Sequence, residues 1–369
     1  MQRPRFFLRR AALIMALVLL ALPLHALAQE DAPSYSVDSL EDFKSLFLGL
    51  TEHLAPEFYI SCPENVFDHL TENDFALIHD VEDASGIALR DMEYWTGIHR
   101  FHYSNITYYP GYRVLNKERM NDFSDMSETD WALYNAAQEI VARAQAETGD
   151  TIALEKYLHD EIARRTAYYT NNNDGLERKD TAVGVLLDGV ADCDGYSDAF
   201  YLLGNLAGFT VRLVHGTTNN PFEGNPNHMW NEIAMDGEWF AVDVTWDDYE
   251  DESRPFSPYC IYFNVGADRL GRTHFWDDAS LLDPIAGASA HAYYYNAVGG
   301  VCDGWDYAAG YMSWRLDQGI VTDTIMLPNM AYDNAALNAA IQRALPGWSW
   351  KSWYKTVGSD LYICYYLYQ

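Results

Sequence analysis

The residues able to do chemistry gather in two stretches. In "GVADCDGYSDAF", Gly189 to Phe200, Cys193 stands between Asp192 and Asp194, just ahead of an apolar helical pattern. A thiol at a helix start meets unpaired backbone N–H groups and the positive end of the helix dipole, and both favour the nucleophilic thiolate. The flanking acids oppose that charge, although acids also suit a helix start. In "HMWNEIAMDGEWFAVDVTW", two strand-like runs are joined by Asp236-Gly237, a short-hairpin signal. A two-residue loop there sets Met235 opposite Glu238, Trp230 opposite Asp243 and His228 opposite Thr245. His228, Trp230, Glu232 and Ala234 then share a face with Trp239, Ala241, Asp243 and Thr245, and the other face reads as core. His228 and Asp243 become diagonal neighbours, about 7–8 Å apart by backbone, so imidazole can meet carboxylate.

A base with an orienting acid lacks only a nucleophile, which Cys193 supplies. Asp243 would fix the imidazole tautomer, His228 would lower the thiol pKa and carry the proton, and the Cys193 N–H is a candidate oxyanion donor. Each residue also has a plainer reading. A lone cysteine is commonly a small buried hydrophobe or half a disulfide, and a lone strand histidine is commonly structural. Tyr168 and Trp230 are candidates to line the site and touch substrate. His274 in "THFW" could approach the sheet, with a structural role preferred.

Cofactor signals are sparse. Cysteine and histidine do not cluster at zinc spacing, and no phosphate-cradling glycine loop appears. Asp247, Asp248, Glu250, Asp251 and Glu252 form an acidic run that Ca2+ could use, but a full calcium-loop pattern is missing and a solvated loop is the simpler account. "NNNDG" at Asn171 to Gly175 reads as a turn. The expectation is therefore no metal and no required cofactor.

The positioning elements follow from periodicity. "SETDWALYNAAQEIVARAQAETG" opens near the capping-box pattern at Ser127 and Asp130. "DTIALEKYLHDEIARRTAYY" places Leu154, Leu158 and Ile162 on one helical face, and "TAVGVLLDG" is a short helix stopped by Gly189. From Tyr196 the apolar spacing continues the cysteine helix to Gly208. "FTVRLVHG", the hairpin and "YCIYFNVG" are strands, so helices precede antiparallel strands, an α+β core. Upstream, "SLEDFKSLFLGLTEHL" is a helix after Ser39, "EFYISC" a strand and "TENDFALIHDVEDASG" a second helix. "RFHYSNITYYPGYRVL" holds strand-like runs broken by Pro110-Gly111. The tail is rich in tyrosine and tryptophan, with two strands around Gly358-Ser359, and its aromatics are expected to serve packing rather than sugar stacking. The expected division is a leader at 1–28, a small α+β N-terminal domain at 29–125, a core at 126–285 and a β-rich extension at 286–369.

A net charge of −30 excludes a nucleic-acid partner and anionic membrane surfaces, both of which need a basic face. Arg3, Arg5, Arg9 and Arg10, the apolar run "AALIMALVLLAL" and the small residues Ala26 to Ala28 have the layout of a cleaved secretion signal. The mature chain is then expected to be extracytoplasmic, secreted or in the cell envelope, and free of the membrane. In an oxidising compartment cysteines tend to pair. Of five, Cys62, Cys260, Cys302 and Cys364 could form two disulfides in any of three connectivities, leaving Cys193 as the odd thiol.

The order cysteine helix, histidine strand, aspartate strand, in "DTAVGVLLDGVADCDGYSDAFYLLGNLAGFTVRLVHG" and "NHMWNEIAMDGEWFAVDVTWDD", resembles the transglutaminase-like superfamily of papain-type thiol enzymes. The resemblance runs from about residue 146 to 280. It implies a cysteine-bearing helix packed on an antiparallel sheet, with Cys193 as nucleophile, His228 as general base and acid, and Asp243 as the orienting residue. The family commonly has glycine and a small or apolar residue where Ala191 and Asp192 stand here, and a neutral or longer residue at Asp194. The implied activity is acyl transfer or hydrolysis on peptide or protein amides through a thioester. A cysteine peptidase of the same fold, and a non-catalytic binding or scaffold protein built on it, remain the alternatives.

Overall fold

The computed structural model describes residues 32–71, 89–169, 176, 178–219, 227–248, 260–275 and 293–369. The leader, the body of the helix expected after Thr71, the "NNNDG" turn and Glu250 to Glu252 lie outside the described residues. The chain divides into two compact units, one holding residues 32–71 and 89–107, the other residues 108 onward.

The first unit contains β1 (Ser34–Ser36), α1 (Leu40–Glu52), β2 (Phe58–Ser61), α2 (Glu64–Thr71), β3 (Leu89–Gly97) and β4 (Arg100–Tyr108), whose last residue falls in the second unit. Ser39 caps α1 by accepting from the Asp42 N–H, satisfying one of the donors a helix start leaves unpaired. The sheet order is β1-β2-β4-β3. Phe43 and Phe47 of α1 pack on Phe58 of β2 and on Phe101 and Tyr103 of β4, all fully buried and partly edge-to-face.

The second unit begins with α3 (Pro110–Met120), α4 (Glu128–Glu147) and α5 (Thr151–Arg165). Pro110 opens a helix rather than only breaking a strand, because a proline at the first helical position gives up an N–H that would be unpaired anyway. Here the structure differs from the expected boundary at 125: α3 belongs with the second unit, where it packs on the cysteine helix. The capping box of Ser127 and Asp130 at the start of α4 is present.

Next come β5 (Ala167–Tyr168), a π-helical turn at Gly184–Asp188, β6 (Val190–Ala191), α6 (Cys193–Leu206), β7 (Val211–Thr218), β8 (Asn227–Met235) and β9 (Glu238–Val242). A short α7 (Val244–Asp247), β10 (Phe263–Val265), α8 (Ala267–Leu270) and β11 (His274–Phe275) complete the core. The central sheet is antiparallel, ordered β10-β9-β8-β7-β11, and α6 packs against β7 and β8. This is the α+β arrangement expected, a cysteine-bearing helix on an antiparallel sheet.

The β-rich C-terminal part also carries helices. After α9 (Tyr293–Val298) it forms α10 (Trp305–Asp317), β12 (Thr322–Leu327), α11 (Asn334–Ala344), β13 (Ser349–Val357) and β14 (Asp360–Tyr368). The three strands are ordered β12-β14-β13, and the two helices bury Met312, Leu337 and Ile341 against Ile325, Ile363 and Tyr365. Asp333 caps α11 through the N–H groups of Ala335 and Ala336. The tyrosines of the tail mostly pack: Tyr294, Tyr295, Tyr362 and Tyr365 are buried.

None of the five cysteines is joined in a disulfide. Cys62, Cys260, Cys302 and Cys364 are buried as small hydrophobes, so the expected disulfides do not form.

Candidate active site

The cysteine is delivered by a strand-to-helix turn. β6 pairs in parallel with β5, setting Tyr168 opposite Ala191, and the chain then enters α6 at Asp192. Asp192 makes no side-chain cap; its carboxylate pairs with Lys179, and its N–H donates to the Lys179 carbonyl. A side chain at Gly195 would force a shift, since a Cβ would stand 2.5 Å from the Lys179 carbonyl oxygen and 2.8 Å from the Ala191 Cβ. The Cys193 side chain ends half-buried, against the backbone N–H of Met229, the neighbour of His228.

The hairpin register is the one its turn dictates. Glu232 pairs with Ala241, Ile233 with Phe240 and Met235 with Glu238. Strand β9 stops at Val242, however, and Asp243 becomes the cap of α7, its Oδ1 accepting the Trp246 N–H at 3.1 Å. Thr245 therefore does not come opposite His228. The capping turn leaves Oδ2 facing His228 Nε2 at 2.9 Å. His228 is 4% exposed and Asp243 1%.

A second imidazole joins them. His274 on β11, fully buried, places its Nε2 3.0 Å from the same Asp243 Oδ2. Trp246, Trp230 and Tyr262 wall the cluster, with ring centroids 4.6, 5.1 and 5.1 Å from that of His274. The Lys355 ammonium lies 5.7 Å from the Trp246 and Tyr262 ring centres. Burial alone would raise the Asp243 carboxyl, but its two imidazole partners hold it well below the carboxylate range. Burial pushes His274 below the ordinary histidine range against the pull of Asp243, so it is neutral near pH 7. Among the described residues, His228, Asp243 and His274 are the group whose ligating atoms, all within 4.8 Å of one another, could share an ion. Their 2.9 and 3.0 Å separations are already satisfied as hydrogen bonds.

The family description "Transglutaminase-like superfamily" matches residues 134–244, a span that contains Cys193, His228 and Asp243. The chain carries a transglutaminase-like domain. Kyphoscoliosis peptidase of Homo sapiens is 36% identical over 62 residues, 15% of this chain and 9% of that protein; the Mus musculus counterpart is 34% identical over the same length. The chain thus matches about a tenth of these curated relatives. Among solved structures, a TGase crystal structure aligns with TM-score 0.30 and 13% identity over 74% of this chain and 75% of that one. The periplasmic domain of TgpA from Pseudomonas aeruginosa aligns with TM-score 0.26 and 17% identity, over 40% and 55%.

Within the transglutaminase-like domain, one expectation about Cys193 is reversed. Burial raises the thiol well above its ordinary range, and Asp194 and Asp192 raise it further, against the opposing Met229 N–H. The S–H donates to Asp194 Oδ1 at 3.3 Å, and the Tyr109 hydroxyl donates to Asp194 Oδ2 at 3.0 Å. The helix start does not outweigh desolvation and two acids, so the resting sulfur is a neutral thiol.

The two expected lining residues part company. Trp230 is fully buried, stacked behind His228 and packed over Gly216, where it cannot touch a substrate. Tyr168 is half-buried, with its ring 6.2 Å from that of Tyr196, and flanks the cysteine turn. Nor are the first two acids of the acidic run a solvated loop. Asp247 is buried and accepts from the Ile261 and Tyr262 N–H groups, and Asp248 accepts from the Tyr196 hydroxyl.

Sequence reasoning missed the partners of the acids. His274 was visible as a histidine near an aromatic, but no spacing rule links it to Asp243. Asp194 read as an acid opposing the thiolate at a helix start, but not as the acceptor of the thiol proton. His159, which lies 3.0 Å from Asp160 and 3.3 Å from Asp247, sits on the face of α5 that apolar periodicity marks as core.

Proposed function

We propose that the chain is a thiol acyl-transfer enzyme acting on amides of peptides or proteins, with Cys193, His228 and Asp243 as its triad. The observation that carries this is the His228 Nε2 to Asp243 Oδ2 bond of 2.9 Å, beside a cysteine whose sulfur meets the Met229 N–H. Asp243 keeps the proton on Nε2, which makes Nδ1 the basic atom of the ring. As the sulfur attacks a carbonyl carbon, His228 takes the thiol proton. The oxyanion is stabilised by N–H groups at the start of α6, and His228 returns the proton to the departing amine. Water or a second amine then resolves the thioester.

Because the resting thiol is neutral, proton transfer to His228 accompanies attack instead of preceding it. Hydrolysis of a backbone amide, making the chain a peptidase, and transfer from a glutamine amide share these steps. The leader-like first residues favour extracytoplasmic peptides as substrates. Among the described residues no helix is long and apolar enough to cross a membrane.

The test is intact-mass analysis after treatment with a thiol-directed acyl probe, followed by digestion. One acyl adduct on Cys193, lost in Cys193→Ala and His228→Ala, is expected. Ammonia release from a glutamine peptide identifies a transferase or deamidase, and backbone cleavage a peptidase. A wild-type protein whose Cys193 stays unmodified is a binding or scaffold module instead.

A further inference from the structure

Asp243 is held on three sides. Its Oδ1 takes the Trp246 N–H at 3.1 Å, and its Oδ2 takes both imidazoles, His228 at 2.9 Å and His274 at 3.0 Å. For both rings to donate to one carboxylate oxygen, both must carry their proton on Nε2. His274 then has Nδ1 as an acceptor, and the Thr273 hydroxyl, 2.9 Å away, donates to it. Asp243, an acceptor only, thus selects the tautomer of both rings, and the Thr273 hydroxyl accommodates that of His274. The charged and titratable groups facing this pair are Lys355 from β13, Asp247 from α7 and Tyr262 beside β10.

We propose that His274 is a positioning residue for the reaction: it clamps the Asp243 carboxylate in the orientation that holds His228. The inference rests on the triad reading above. Asp243 follows immediately on β9, and among the described residues the short turn that it caps brings no backbone donor to its Oδ2. With only the Trp246 N–H on Oδ1 and one imidazole on Oδ2, the carboxylate keeps some torsional freedom about its χ angles. A second fixed donor removes that freedom. His274 lies beyond the span matched by the family description, on a strand at the far edge of the sheet.

The experiment uses the full chain and p-nitrophenyl acetate, following nitrophenolate release and the acetyl adduct on Cys193. His274→Phe keeps an aromatic ring and loses the donor; its acylation rate at saturation is expected to fall about tenfold or more with the half-saturating concentration unchanged. His274→Gln, whose amide N–H reaches the Nε2 position, is expected to restore most of that loss. Thr273→Val is expected to lie between them. Imidazole 15N spectra are expected to show His274 and His228 both protonated on Nε2, with the His228 signal broadened or shifted in His274→Phe. A folded His274→Phe that acylates within about twofold of wild type, or a His274 protonated on Nδ1, overturns the proposal. Failure of the triad reading looks different: wild type is not acetylated at Cys193, or His228→Ala is acetylated as fast. The spectra still decide whether His274 orients His228 through Asp243.

Discussion

The charge next to Cys193 is the feature by which a single residue sets reactivity. Asp194 takes the thiol proton in a hydrogen bond and is itself held by the Tyr109 hydroxyl. Replacing Asp194 with Asn removes one of the charges that hold the thiol up. The pH profile of iodoacetamide alkylation at Cys193 is expected to move to lower pH by about one unit or more. Tyr109→Phe deprives the carboxylate of a competing donor, strengthens its hold on the S–H, and is expected to move the profile the other way. Equal profiles for all three proteins would show that Asp194 does not govern the thiol.

At the scale of elements, the four-residue α7 ties the site to the helical layer. Asp243 is its cap, and Asp247 at its other end accepts two backbone N–H groups and pairs with His159 of α5. His159 is fully buried between Asp247 and Asp160, and despite burial its two acidic partners raise it to about 9, so it is charged at neutral pH. Removing one partner of a buried ion pair costs about 3–5 kcal/mol, because the other charge is left uncompensated. His159→Phe is expected to lose that much in urea unfolding, and adding Asp247→Asn to recover part of it. The cysteine turn has its own constraint. Gly195→Ala drives a methyl group against the Lys179 carbonyl, backbone that cannot swing aside. A loss of about 1–3 kcal/mol and slower Cys193 alkylation are expected.

Across the whole molecule, buried acids set the pH range of stability. Burial raises Glu155 to about 8 and Asp198 to about 7, the latter despite the N–H groups of Ala182 and Gly111 that it accepts. With His159 these groups bind protons more tightly folded than unfolded. The stability they contribute is complete below their unfolded pKa values, falls as pH rises above those values, and is gone once pH passes the folded values of about 7 to 9. Asp160 has the opposite sign: Lys156 and His159 outweigh its burial and hold it down to about 2, so its contribution is lost as pH falls toward that value. Melting temperature is therefore expected to peak at about pH 4 to 5 and to decline from there through neutral to alkaline pH. Each such group adds a slope of up to about 1.4 kcal/mol per pH unit there. Glu155→Gln is expected to flatten the alkaline limb, and an unchanged limb would mean that Glu155 is ionised in the folded state.

What the sequence by itself determined was local. Asp236-Gly237 sets the hairpin register because a two-residue loop permits few geometries. Ser127 with Asp130, and Gly189 and Gly208 with positive φ, mark helix ends because the backbone there has specific unpaired groups and torsions to satisfy. The cysteine helix and the histidine strand followed from periodicity. Only the tertiary structure decided that Asp243 leaves its strand to cap α7, because the burial of Asp247 under Ile261 and Tyr262 overrides the strand preference of "VDVTW". It likewise decided that His274 and His159 find carboxylates far along the chain, that Trp230 turns inward, and that Cys193 rests as a thiol. Burial and charge pairing depend on which distant groups share an enclosure, and no spacing along the chain encodes that.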